Sequence, residues 1–239
     1  MSESSTRSVV ITQSNYIPWK GYFDQINSSD YFVFYDCVQY TRRDWRNRNK
    51  IKTAQGVKWL TIPVSTKGNF SAPISEIEVA NCQWAEEHWN LLRHAYKKAP
   101  CFGEVEPFIK GLYESAATQN LLTEINKMFI KELSRFLGIA TVFRDSSEFG
   151  LLPGRTERLL GICEAIGATN YISGPAAKNY LDESCFNEKD ISVSWFGYEG
   201  YSEYPQLHGD FVHGVSVLDL LFSVGGTAKD YLKRQSRSE

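Results

Sequence analysis

A strand, a helix and a second strand open this chain within about 30 residues. That spacing constrains the fold more than any other feature. Val9-Val10-Ile11-Thr12-Gln13 is a β-branched run of the kind that forms a buried strand. Residues 14–18 turn the chain. Residues 19–26 place Tyr22, Phe23 and Ile26 on one helical face. Tyr31-Phe32-Val33-Phe34-Tyr35 is the second strand, ended by Asp36. Such a unit closes right-handed with its strands parallel.

The alternation continues beyond this unit. Strands are expected at 59–64, where Pro63 marks the end, and at 74–79, 141–144, 171–173 and 191–196. Helices are expected at 83–98, 107–115, 121–137, 156–166 and 216–222. Gly138 and Gly167 stop two of them, and Ser216 and Asp219 sit where a capping pair begins the last. The pattern predicts an α/β fold with a mostly parallel, Rossmann-like sheet, flanking helices and a helical insertion near 83–137. We expect a disordered tail at 1–8, one domain at 9–226 and a C-terminal tail at 227–239. No apolar run is long enough to span a membrane, and the N-terminus lacks a signal peptide's apolar centre. Five scattered cysteines without a CxxC pair suggest reduced thiols and a cytoplasmic protein, with neither a disulfide framework nor a zinc site.

Charge is distributed unevenly. The chain carries a formal net charge of -2, yet Arg42, Arg43, Arg46, Arg48, Lys50 and Lys52 crowd one short run against a single acid, Asp44. Trp45, Asn47 and Asn49 interleave with them. Arginine forks grip phosphate or carboxylate, so the run reads as an anion-handling surface, where a solvated charged face is the plainer alternative. Ligands of open α/β sheets bind beyond the carboxyl ends of the strands. Gln13, Asn15, Tyr16 and Trp19 follow the first strand, Asp36 and Gln39 follow the second, and Ser173 and Gly174 follow a later one with Tyr180 just beyond. These groups, with Arg43, Trp45, Asn47, Arg48 and Lys50, frame one expected pocket. Gln13 and Asn15 serve equally as turn formers. Tyr204 and Gln206 are further substrate-positioning candidates.

For proton transfer the candidates are Asp36, His88 and His208. His88 falls on the apolar face of its helix, where a core histidine is the commoner outcome. His208, Asp210 and His213 lie close together, but no third metal partner is fixed, so no metal is expected. There is no GxSxG, HExxH or GxGxxG motif.

The ordered motifs Gln13-x-x-Tyr16-x-Pro18-Trp19-x-Gly21-Tyr22, Asp36-x-Val38-Gln39, Trp45-Arg46-Asn47-Arg48-Asn49-x-Ile51-Lys52, Trp59-Leu60-Thr61-Ile62-Pro63-Val64, Ser173-Gly174-Pro175 and Tyr204-Pro205-Gln206 resemble the WbqC-like family. The resemblance runs from Val9 to Gly225. It implies a role in bacterial surface-polysaccharide (O-antigen) assembly and supplies no mechanism. The opening also resembles the nucleotidylyltransferase-like ligases, such as pantoate–β-alanine ligase. Their HxGH-type motif is replaced here by Pro18-Trp19-Lys20-Gly21-Tyr22, which leaves ATP or no cofactor as alternatives. The expected function is amide formation or acyl transfer on a nucleotide-linked aminosugar, by a transferase or an ATP-dependent ligase. Two alternatives stand beside it. One is an RNA-binding protein that uses tRNA as an aminoacyl donor; the other is a non-catalytic scaffold.

Overall fold

The computed structural model describes residues 6–66 and 71–233. β1 (Ser8–Thr12), α1 (Lys20–Asn27) and β2 (Tyr31–Phe34) form the expected opening unit, with Val10 beside Phe32 in parallel register. A hairpin of β3 (Arg48–Thr53) and β4 (Gly56–Thr61) follows, then a short pairing of β5 (Val64–Ser65) with β6 (Glu78–Val79). Three helices come next: α2 (Gln83–Tyr96), α3 (Phe102–Ala116) and α4 (Leu122–Phe136). The chain returns to the sheet through β7 (Val142–Asp145), α5 (Arg155–Ile166), β8 (Asn170–Ser173), α6 (Glu183–Asn187) and β9 (Ser192–Trp195). It then enters α7 (Val217–Val224).

The main sheet has five parallel strands in the order β7-β2-β1-β8-β9. Strand alternation sends Val10, Phe32, Phe34 and Ile172 into a core with Phe23 and Ile26 of α1 and Phe129 of α4. Val9, Ile11, Val33 and Tyr171 pack on the other face with Leu159 and Ile162 of α5 and Phe186 of α6. Helices thus cover both faces, as a parallel sheet requires. The strand order reverses between β1 and β8, the point where such sheets open a crevice.

Several expectations are corrected. The segment at 59–64 is no member of the parallel sheet. It contributes to β4, which pairs antiparallel with the basic run. The expected strand at 74–79 is mostly a 3-10 turn, Ile74–Glu76, before β6. α3 starts five residues before Pro107, the expected start. Pro107 is exposed, and so is Gly103, whose carbonyl loses its helical donor to the proline ring. Ser216 caps α7 as expected, its Oγ accepting from the Leu218 amide at 3.3 Å. Asp219 does not join that cap. It is 1% exposed and accepts from the hydroxyls of Tyr96 (2.9 Å) and Tyr204 (2.8 Å). Of the expected tails, residues 1–5 and 234–239 lie outside the described residues. Ser8 is already in β1, and Gly225–Tyr231 forms 3-10 turns that bury Ala228.

Candidate functional site

The hairpin converts the basic run into a two-sided ribbon. Asn49, Ile51 and Leu60 face inward and are buried. Arg48 and Lys50 face the other way and stay partly exposed, paired with Thr61 and Trp59 across the ladder, while Lys52 on that same face, opposite Val57, is buried under the 206–210 loop. Trp45 joins this outer face. Its ring lies 5.4 Å from that of Trp59, and the two indoles are 40% and 41% exposed. The Arg48 guanidinium stands 4.1 Å over Trp59, and Lys50 Nζ lies 5.0 Å from Trp59 and 5.7 Å from Trp45. Cation–π contacts of this kind hold both rings and cations in place.

A turn shapes the near end of this platform. Asp44 accepts from the Thr41 hydroxyl (2.6 Å) and the Trp45 amide (2.7 Å). Burial works to raise its carboxyl, but these donors, with Arg46 and Arg48, hold it below the usual carboxylate range. Arg43 adopts φ +56°, and its carbonyl accepts from Arg48 Nη2. Beside the turn runs an open groove of about 670 Å³, lined by Tyr40, Arg42, Arg43, Asn47, Thr61 and Thr66.

The first loop is clamped from beneath by the same run. Asn49 Nδ2 donates to the carbonyls of Tyr16 and Ile17 (both 3.0 Å), which holds Ile17 at φ +35°, a costly conformation for a β-branched residue. Arg46 Nη1 donates to Asn15 Oδ1 and to the carbonyls of Ser14 (3.3 Å) and Gln13 (3.4 Å). The structure therefore brings Gln13 and Asn15 against the basic run, under the platform. Tyr16 is fully buried, so it offers no contact surface. Trp19 points away, onto Tyr198 and Tyr201, and fills the space that Gly21 leaves open: a Cβ there would overlap the indole.

The three candidate bases separate. Asp36 is 1% exposed, and its oxygens accept from the Ser14 amide (2.8 Å), the Ser14 hydroxyl (2.7 Å) and the Thr123 hydroxyl. It ties β1 to β2 and α4. His88 is 5% exposed, and burial pushes it down to about 4, against a weaker opposing bond to the Thr61 backbone. Its Nδ1 lies 2.9 Å from the Tyr16 hydroxyl, which lies 2.7 Å from that of Tyr113. A neutral ring at Nδ1 accepts from Tyr16. His208 is half-buried, with Nε2 donating to the Ala95 carbonyl at 3.0 Å. Its loop is held to the hairpin by Lys52 Nζ, which donates to Gln206 Oε1 (2.7 Å) and to the carbonyl of Gly209 (3.3 Å).

Other expected residues lie elsewhere. Gln206 brackets Val212 through both amide atoms and donates to the Tyr204 hydroxyl, so Tyr204 and Gln206 fasten the 204–212 loop. Ser173 is buried with its hydroxyl on Tyr171, and Gly174 follows it at the sheet's crevice. Tyr180 is exposed beneath Arg155, 5.8 Å away. Gln39 is exposed and bridges to Pro73. The platform residue missed by sequence reasoning is Trp59. The signal was present in the Gln55-Gly56 turn between two alternating runs, which sets Trp59 opposite Lys50.

Among the described residues, no group of three or more His, Cys, Asp or Glu side chains is arranged to hold a metal ion, and no helix is long and apolar enough to cross a membrane. Comparison with known proteins identifies the chain's relatives. The model of the WbqC-like protein family matches residues 13–231. Uncharacterized protein Rv1507c of Mycobacterium tuberculosis is 46% identical over 227 residues, covering 95% of this chain and 98% of that protein. No solved structure matches significantly. The chain belongs to the WbqC-like protein family.

Proposed function

We propose that this member of the WbqC-like family is a cytoplasmic enzyme of surface-polysaccharide assembly that binds a nucleotide-linked aminosugar on the hairpin platform and acylates its amine. The observation that carries the reading is the half-exposed Trp45–Trp59 pair, rimmed by Arg48 and Lys50 and continuous with the turn that forms the groove. Flat apolar rings suit a base or sugar face, and adjacent cations suit its diphosphate.

In the reaction, the sugar nitrogen attacks the acyl carbon of an activated donor. A C–N bond forms, the bond to the donor's leaving group breaks, and the amine proton passes to a base. Asp36 and His88 are sealed from substrate, whereas the loop of His208 borders the Lys52 end of the outer face. His208 is the base in this reading. The donor is an acyl or aminoacyl carrier, or an acyl group activated by ATP.

Trp59→Ala is expected to weaken UDP-sugar binding about 5- to 100-fold, the range of one lost stacking contact. Its thermal midpoint should barely move, because the ring is 41% exposed. Calorimetric titration of UDP-sugars into both proteins tests this. Unchanged affinity in the variant overturns the platform reading. If no nucleotide binds and tRNA binds with a steep salt dependence, the platform serves RNA instead. Binding of neither favours a scaffold.

A further inference from the structure

The signature run holds buried polar atoms that make no hydrogen bond. Asn47 Oδ1 and Arg48 Nε are shielded from water and have no hydrogen-bond partner, whereas Arg46 Nε, also without a hydrogen bond, faces the Asp44 carboxylate at 3.7 Å. Buried polar groups are ordinarily satisfied, so an unsatisfied one in the lining of a candidate site marks an atom that a ligand completes, and of these residues only Asn47 lines the groove. Asn47 is the informative member. It is 6% exposed and lines the groove. Its amide orientation is fixed, because Nδ2 donates to the Ile62 carbonyl at 2.8 Å while the Ile62 amide donates back to the Asn47 carbonyl at 2.7 Å. A flipped amide would set two oxygens against each other. Oδ1 is therefore held as an acceptor without a donor.

We infer that Asn47 is the specificity residue of the groove: its Oδ1 accepts from an N–H or O–H on the uncharged part of the ligand, while the arginines around it take the anion. This rests on the nucleotide-sugar reading of the platform. The groove supplies the complementary charge, since Arg43 is exposed at its mouth and Arg42 donates to Thr66 Oγ1 along its wall. A sugar amine or hydroxyl satisfies the lone acceptor. A carboxylate or a carbonyl at that point meets it oxygen to oxygen and is rejected. The site therefore selects aminosugars and neutral sugars over uronic acids carried on the same nucleotide.

The test titrates UDP, UDP-glucosamine and UDP-glucuronic acid into wild-type protein and Asn47→Ala. Wild type is expected to bind UDP-glucosamine about tenfold more tightly than the variant does, the worth of one buried hydrogen bond, with a much smaller change for UDP. A folded variant that keeps its UDP-glucosamine affinity overturns the inference. The Asn47–Ile62 bond also supports the fold, so a second measurement uses wild type alone. The Asn47 side-chain carbonyl ¹³C resonance is expected to shift with UDP-glucosamine and to stay in place with UDP. Equal shifts with both ligands also overturn it. Failure of wild type to bind UDP at all sinks the platform reading instead, which separates the two failures.

Discussion

Replacing Asp36 with alanine is expected to destabilise the protein by about 3–5 kcal/mol, because three donors lose a charged acceptor in a dry site. Its oxygens accept from the Ser14 amide, the Ser14 hydroxyl and the Thr123 hydroxyl, and the residue is 1% exposed. Asp36→Asn should cost only about 1–2 kcal/mol, since the amide oxygen keeps the Ser14 N–H and a hydroxyl can rotate to accept from the new NH₂. Ser14 Oγ already accepts from Asn126 Nδ2 at 3.1 Å, so Thr123 is the hydroxyl freer to turn. Urea denaturation of the three proteins measures the order. Asp36→Ala within about 0.5 kcal/mol of wild type, the range of neutral surface changes, would contradict the anchoring role. The anchor also bears on the site. Ser14 follows β1 directly, and its carbonyl is one of the acceptors for Arg46, so loosening it loosens the floor of the platform.

The parallel sheet was legible because β-branched and aromatic runs alternate with helical stripes at short spacing. Its strands and helices fall close to where periodicity placed them. The hairpin was harder to read. In Arg48-Asn49-Lys50-Ile51-Lys52-Thr53 the period is two, but the inward set is Asn49, Ile51 and Thr53, and two of these are polar. Inward Asn49 is explained only by the Tyr16 and Ile17 carbonyls it holds, 33 and 32 positions away in the chain. A charge count sees a basic stretch there, and hydropathy alone marks no strand, so the Gln55-Gly56 turn between the two alternating runs was the one local sign of a hairpin. The structural roles of Tyr204, Gln206 and Asp219 were hidden for a related reason. They stand out as polar motifs, yet their partners, such as Tyr96 at 123 positions from Asp219, are set by the tertiary fold. Asp36 and His88 were recognised as chemically able groups. Burial, which sequence does not report, decided what they do.

His88 and a second buried group, Asp24 of α1, oppose each other in acid, and separating them is expected to reveal a hidden pH dependence. Burial pushes His88 down to about 4, below the ordinary histidine value of about 6.5. The unfolded chain therefore takes up the proton first, and His88's contribution, complete above pH 6.5, is lost as pH falls from about 6.5 to 4. Asp24 behaves in the opposite sense. It is 2% exposed, and burial raises its carboxyl to about 6 despite the Tyr201 hydroxyl, the Lys233 amide and the Lys233 and Lys20 charges. Here the folded chain takes the proton first, so this contribution is complete below about pH 4 and is lost as pH rises to about 6. Each effect is on the order of 3 kcal/mol at one pKa unit per 1.36 kcal/mol, and they cancel between about pH 4 and 6. Wild type should look nearly flat across that window. Asp24→Asn, which keeps an acceptor for the Lys233 amide, should be more stable than wild type at pH 7 and lose that excess on acidification, exposing the histidine slope. His88→Gln should show the reverse slope, with stability falling as pH rises from 4 to 6. Urea midpoints taken from pH 4 to 8 measure all three profiles. Parallel profiles for wild type and Asp24→Asn would show that Asp24 ionises in the folded protein as it does in the unfolded chain, and the compensation would then have no basis.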